Sequence, residues 1–387
     1  MKGYQFEDTQ GTFHLKKAEN ISYLYFPIAG EAGLKSSFTP NLGGDAKIDQ
    51  NTFLLEPVSA ENLVNNRNSR NFWCNVKGIG SWSLTGHSAE ELSKKFTEMQ
   101  DDSEVTAGFM WQKTTRESKK YQLRGEILSF IPVDKNVEIM LVTITNTGRM
   151  AQTVTPTAAI PLYGRSADNI RDHRHVTSLL HRIETTDTGV LVTPTLSFDE
   201  RGHQVNHMTY YCVGWSGNGE KPVDFYPTAE DFVGEGGNFE RPYAIVKNAE
   251  GVKAGTKIEG LEAVGGLHFS EITLEPEEEC SYLIFTGITE DIQEIRNLSK
   301  TYTTREKVLE ELEKTKAYWQ EKVNVAYHTG DSDFNQFMHW VSFQPILRRI
   351  YGCSFLPHHD YGKGGRGWRD LWQDCLALLI MNPDGVR

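Results

Sequence analysis

Apolar residues change their spacing once along this chain. Up to about residue 285 they alternate with polar ones or gather in short runs; beyond Thr289 they recur at intervals of three and four. The first pattern predicts strands and the second amphipathic helices. Val137–Asn146 alternates, turns apolar and ends at the turn signal Asn146-Thr147-Gly148; residues 152–157 follow directly and predict its hairpin partner. Residues 189–194, 207–215 and 280–287 predict further strands. Many short β-rich segments broken by Gly and Pro predict a large antiparallel β-sandwich, with a sizeable core between its two sheets.

From Thr289 the run Thr-Glu-Asp-Ile-Gln-Glu-Ile predicts a helix start with an N-cap and an acidic first turn. Residues 304–323 carry Val308, Leu309, Leu312, Tyr318 and Trp319 at helical spacing, their many charges forming a solvated face. Asp331-Ser332-Asp333-Phe334 predicts another capped helix, running to about Tyr351. A Gly-rich loop over 362–367 leads into a last helix, which the turn chemistry of Asn382-Pro383-Asp384-Gly385 ends. The chain thus divides into a sandwich over 1–287, a helical linker over 288–326 and a helical tail over 327–387. In the tail Phe334, Trp340, Leu347, Leu376 and Leu379 make apolar faces that one helix pair leaves partly exposed, so a further element is expected to cover them.

Composition narrows the classes. With 387 residues, 38% hydrophobic and 24% charged, the chain reads as an ordinary soluble protein of two or three domains. A net charge of −12 argues against a nucleic-acid or anionic-membrane surface. The five cysteines (Cys74, Cys212, Cys280, Cys353, Cys375) are scattered, odd in number and form no CxxC pair. Neither a zinc site nor a disulfide framework is expected, and a reducing cytoplasm fits. The N-terminus lacks the apolar stretch of a signal peptide, and no apolar run approaches the ~18 residues of a membrane span. His358-His359-Asp360 are three neighbours in a Pro-led loop, which cannot all converge on one ion. Arg171-Asp172-His173-Arg174-His175 reads as an exposed polar loop, and residues 65–73 as a polar loop entering a strand.

The densest chemistry lies in Gly367-Trp368-Arg369-Asp370-Leu371-Trp372-Gln373-Asp374. An indole covers the apolar face of a pyranose, Arg and Asp grip hydroxyls, and a carboxylic acid protonates a glycosidic oxygen. The plainer reading is a helix start with a charged first turn and a buried Trp. Asp370 and Asp374 are four apart and share one helix face. Carboxylates so placed do not flank a scissile bond as a hydrolase requires, ~5–9.5 Å apart on its two sides.

The segment Gly362-Lys363-Gly364-Gly365-Arg366-Gly367-Trp368-Arg369-Asp370-Leu371-Trp372-Gln373-Asp374 resembles the catalytic-acid segment of the family 94 glycoside phosphorylases. That family includes cellobiose, chitobiose and cellodextrin phosphorylases, 1,2-β-oligoglucan phosphorylases and the phosphorylase part of cyclic β-1,2-glucan synthases. Residues 335–351, with Trp340, Gln344, Arg348 and Arg349, look like the family's first barrel helix. His339-Trp340-Val341-Ser342-Phe343-Gln344-Pro345 and the Trp372-Gln373-Asp374 ending look most like the 1,2-β-oligoglucan branch.

The resemblance implies a mainly β fold with α: the sandwich, the helical linker, then the start of an (α/α)6 barrel whose C-terminal remainder is expected beyond this chain. It places the general acid on Asp374 and substrate binding on Arg369, Asp370, Trp372 and Arg349; Trp368 reads equally as core. It implies an inverting enzyme, typically a homodimer, that cleaves a β-linked gluco-oligosaccharide with inorganic phosphate as co-substrate and no cofactor or metal. Gly362–Gly367 is not a P-loop, since it lacks the GK[ST] ending and the strand before it. Two other readings stay open: a hydrolase on a related scaffold, and a non-catalytic carbohydrate-binding sandwich.

Overall fold

The computed structural model describes residues 3–21, 24–199, 202–352 and 367–386. The predicted loop at 362–366 and the His358-His359-Asp360 triplet lie outside them. Two antiparallel sheets dominate, one of eleven strands and one of six. A four-stranded sheet (Phe26–Ala29, Lys35–Phe38, Gly44–Asp49, Thr52–Leu55) and a small hairpin (Leu196–Asp199 with Gly202–Val205) accompany them.

Val137–Asn146 explains the architecture. Met140, Val142 and Ile144 point into the core between the sheets, with Cys74, Val154, Ala158 and Ile160 of the shorter sheet. Val137, Ile139 and Leu141 point the other way, into a second core with Leu283 and Phe285. Both faces are therefore dry, which is why the strand reads as nearly continuous apolar sequence.

Helices roof that second core. α1 (Ile292–Thr301) contributes Ile295 and Leu298, and α2 (Arg305–Lys322) contributes Val308 and Leu312. Each such side chain is worth ~1.5–3 kcal/mol when fully buried. α1 is capped by Asp291, whose side chain accepts from the Gln293 N–H at 2.8 Å.

Residues 152–157 are not the hairpin partner of Val137–Asn146. They belong to Gln152–Leu162, which crosses to the shorter sheet and pairs with Asn71–Val76, Ala263–His268 and Ile272–Leu274. The reason is occupancy: Val137–Asn146 is already paired on one edge by Leu123–Phe130 and on the other by Glu279–Thr289. Asn146 holds the crossing, its Nδ2 donating to the carbonyls of Met150 (2.8 Å) and Leu274 (2.9 Å).

The stretch 65–73 is likewise more than a loop. Arg70 is fully buried and makes a two-pronged pair with fully buried Glu138: Nε donates to Oε1 at 2.5 Å and Nη2 to Oε2 at 3.2 Å. Its remaining N–H groups reach the carbonyls of Leu42, Gly44 and Asp45, and Ser36 Oγ donates to Glu138 Oε2. Arg174, expected in an exposed loop, is half-buried between Glu56 and Glu262.

The tail begins with α3 (Ser332–Tyr351), capped by Asp331, whose side chain accepts from the Phe334 N–H at 3.1 Å. α3 lies against the sandwich. Trp340 donates from Nε1 to the Gly11 carbonyl at 2.7 Å and packs edge-on against Phe13 and Phe109. Gly11 has φ +86°, and a Cβ there would stand 3.2 Å from Phe109 Cζ and 3.4 Å from Trp340 Nε1. Only glycine suits both the backbone and the fit. Leu347 is buried with Phe343 and Ile346 against Ala29, Met110 and Trp319. Trp340 and Leu347 therefore face the sandwich, while Phe334, Leu376 and Leu379 stay exposed.

Candidate functional site

The motif forms the first two turns of α4 (Trp368–Met381). Its apolar residues fall on two sides. Leu378 and Met381 are buried, Leu378 in a cluster with Phe343, Ile346 and Leu347 of α3. Trp368, Trp372, Leu376 and Leu379, at intervals of four and three, point outward. Asn382 Nδ2 donates to the Lys322 carbonyl and Asn324 Nδ2 to the Met381 carbonyl, both at 2.7 Å. These bonds tie the end of α4 to the end of α2.

Asp374 lies on the buried side at 6% exposure. Its Oδ1 accepts from Arg348 Nη1 of α3 at 3.3 Å, and its Oδ2 is buried with no hydrogen-bond partner among the described residues. A buried carboxylate oxygen without a donor is costly, on the order of 1–3 kcal/mol or more. Such orphans mark positions where a water or a ligand group completes the shell.

The indoles are open. Trp368 is 78% exposed and Trp372 57%, with ring centroids 6.4 Å apart and planes at 73°. Neither is a core residue among the described side chains, which goes against the core alternative for Trp368. Asp370 faces its neighbour Arg369, Nη2 donating to Oδ1 at 3.2 Å, and Arg369 is itself largely exposed.

Arg349 sits elsewhere. Its Nη2 donates to Glu31 Oε1 at 2.5 Å, and Tyr318 OH of α2 donates to the same oxygen at 3.0 Å. Burial opposes the charge on Glu31, yet Arg349, Tyr318 and Lys322 together hold its carboxyl below the usual range. Arg349 thus joins α3 to the sandwich, and Arg348 is the one of the pair that meets Asp374. The sequence missed Arg348, although a signal was available. The exposed residues Phe334, Phe337 and Val341 define one side of α3, and seven residues beyond Val341 that side reaches position 348.

The structure thus brings Asp374 and Arg348 together on the buried side of α4, while Trp368 and Trp372 stand together on its exposed side and Arg369 and Asp370 pair with each other. No group of three or more His, Cys, Asp and Glu suited to a metal occurs among the described residues. No helix among them is long and apolar enough to cross a membrane.

The family model for the glycosyl hydrolase 94 supersandwich domain matches residues 55–305, more than half of the chain, and the chain belongs to that family. The match covers the sandwich from Leu55 onward and α1, and ends at the start of α2. No curated protein matches the chain by sequence.

Among solved structures, one described as a kojibiose phosphorylase from the human microbiome aligns at 8% identity and TM-score 0.46, over 91% of this chain and 43% of its own. A bacterial glucoamylase complexed with acarbose aligns at 9% identity and TM-score 0.41, over 89% of this chain and 41% of its own. A family GH92 α-mannosidase from Bacteroides thetaiotaomicron aligns at 11% identity and TM-score 0.41, over 84% and 38%. The chain spans less than half the length of each, and likenesses of this degree carry no weight for function.

Proposed function

We propose that the intact protein is an inverting glycoside phosphorylase. It cleaves a β-linked gluco-oligosaccharide, a β-1,2-glucan by the look of the motif, and yields an α-sugar 1-phosphate. Phosphate oxygen attacks the anomeric carbon from the face opposite the leaving oxygen, the glycosidic C–O bond breaks, and the leaving oxygen takes a proton from a carboxylic acid. Phosphate arrives as an anion and needs no protein base. The observation that carries this reading is Asp374, the one buried carboxylate of the motif, whose Oδ2 has no hydrogen-bond partner among the described residues. Its nearest acidic neighbour along the helix, Asp370, shares its face and is engaged by Arg369.

In this reading Trp372 covers the sugar's apolar face, Arg369 and Asp370 grip hydroxyls, and Asp374 is the proton donor. Arg349 anchors α3 and reaches sugar only if that anchor opens. The protein acts as a homodimer in the cytoplasm. The test is sugar 1-phosphate release from β-1,2- and β-1,4-gluco-oligosaccharides with and without phosphate. Equal turnover in phosphate-free buffer would sink the phosphorolysis reading and leave hydrolysis.

One observation favours a second role for Asp374. Its Oδ1 already accepts from a guanidinium, which is an acceptor's contact, and the free Oδ2 then suits a sugar hydroxyl. An aryl glycoside whose leaving group needs no proton separates the two roles. Asp374→Asn spares that substrate if Asp374 is the acid, and impairs it as much as the natural one, with a raised KM, if Asp374 grips a hydroxyl.

A further inference from the structure

A second polar cleft lies between α1 and the sandwich. It holds about 330 Å³, within the range of small-ligand pockets. The turn before Val137 walls one side, and α1 walls the other with Glu294, Asn297 and Thr301, three and four residues apart. Ala32 and Leu298 give it apolar patches.

Tyr211 stands at its floor. The side chain is 3% exposed and belongs to the core beneath the helices. Its hydroxyl oxygen reaches Gly287 of the neighbouring strand. A Cβ on Gly287 would lie 2.4 Å from that oxygen, so glycine is what lets the phenol extend there.

The other groups around the cleft are preset. Asn136 Oδ1 accepts from the Leu34 N–H at 2.9 Å, which leaves its Nδ2 to donate. Thr289 Oγ1 donates to Glu294 Oε2 at 2.6 Å, which leaves Oε1 to accept. Asn297 is exposed on the same wall. Donors and acceptors of both kinds, fixed around small apolar patches, match a polyhydroxylated ring whose hydroxyls alternate with C–H.

We propose that this cleft is a saccharide-binding subsite separate from α4, taking one hexose unit of a gluco-oligosaccharide on Tyr211, Asn297, Glu294 and Asn136. The inference rests on the carbohydrate class of the family and not on phosphorolysis. No aromatic face other than the Tyr211 edge lines the cleft, so recognition depends on hydrogen bonds.

The test is calorimetric titration of the full chain with sophorose and with cellobiose. It is run on the unsubstituted protein, on Tyr211→Phe/Asn297→Ala, and on Trp372→Ala/Asp374→Asn. The expected result is saturable binding that survives the α4 substitutions and weakens about tenfold or more in the cleft variant, as for the loss of two hydrogen bonds. Tyr211→Phe keeps the buried ring and removes only the hydroxyl, so Tm is expected to hold; a fall in Tm would mark the hydroxyl as structural and overturn the proposal. Absence of saturable binding, or binding lost only in the α4 variant, would also overturn it. Phosphate-independent turnover would sink the phosphorylase reading and leave this result untouched.

Discussion

Two arginine–carboxylate pairs in this molecule look alike on paper and behave oppositely. Arg70 and Glu138 lie wholly inside the sandwich, and Glu138 has both oxygens engaged. Arg348 and Asp374 lie in the helix pair, where one carboxylate oxygen is buried and unengaged. The first pair is closed and serves the fold. The second is open, and what it leaves unfinished is where chemistry can enter. The surroundings agree: strands around Glu138 are dry on both faces, whereas α4 exposes two tryptophans and two leucines.

The sharpest break of this contrast is Asp374→Asn in the intact enzyme. Turnover of natural substrate is expected to fall ~10²–10⁴-fold, the usual worth of a positioned acid, with the thermal transition little changed. A large loss of stability with normal turnover of the folded fraction would mean that this pair too is structural.

Glu138→Ala should do the reverse. It strands the Arg70 charge in the core, which costs on the order of 3–5 kcal/mol, read as a lowered denaturation midpoint. An unchanged midpoint would mean that the sandwich tolerates open pairs as the tail does.

The sandwich also holds a pH-sensitive group. Burial, with Arg165 nearby, pushes the His181 imidazole down to about 3. The unfolded chain takes up that proton below about pH 6.5 and the folded chain does not, so stability falls with falling pH. The slope is roughly 1.4 kcal/mol per pH unit between pH 6.5 and about 3. His181→Asn, which can keep the contact with the Leu261 carbonyl, should flatten that part of the pH–stability curve. An unaltered curve would place the effect in other groups.

The smallest effect belongs to Arg349→Ala. Its pair with Glu31 is partly open to solvent, so about 0.2–1 kcal/mol of stability is expected, weakening with salt. A loss in kcat/KM far beyond the stability change would instead return Arg349 to the sugar.

Much of this was written in local sequence. Asp331 and Asp291 cap helices where side-chain chemistry says they should. The alternation in Val137–Asn146 and the apolar run of 280–287 announced strands whose two faces are both covered. What local pattern omits is which edge is free: nothing near Gln152 reveals that Glu279–Thr289 has taken the place beside Val137–Asn146. The same limit applies at the site. The motif named Asp374 and Trp372, but Arg348 meets Asp374 only because two helices pack, and the doublet Arg348-Arg349 cannot say which member turns toward α4. The burial of Arg70 is hidden from local pattern for a related reason, since it depends on Glu138, 68 residues away.

The order of strands in the long sheet carries a consequence for synthesis. Glu279–Thr289, the last strand of the sandwich, lies between Val137–Asn146 and Thr209–Ser216 rather than at an edge. Until the ribosome releases Thr289, the growing chain holds two half-sheets, each with a long apolar strand offering unpaired N–H and C=O groups. Such edges recruit other chains. Nascent chains stalled before residue 279 should therefore be protease-sensitive and held by chaperones, and those stalled well past Thr289 should become resistant in one step. The sandwich is closed by its final piece, as an arch is by its keystone, and nothing before that piece can stand alone.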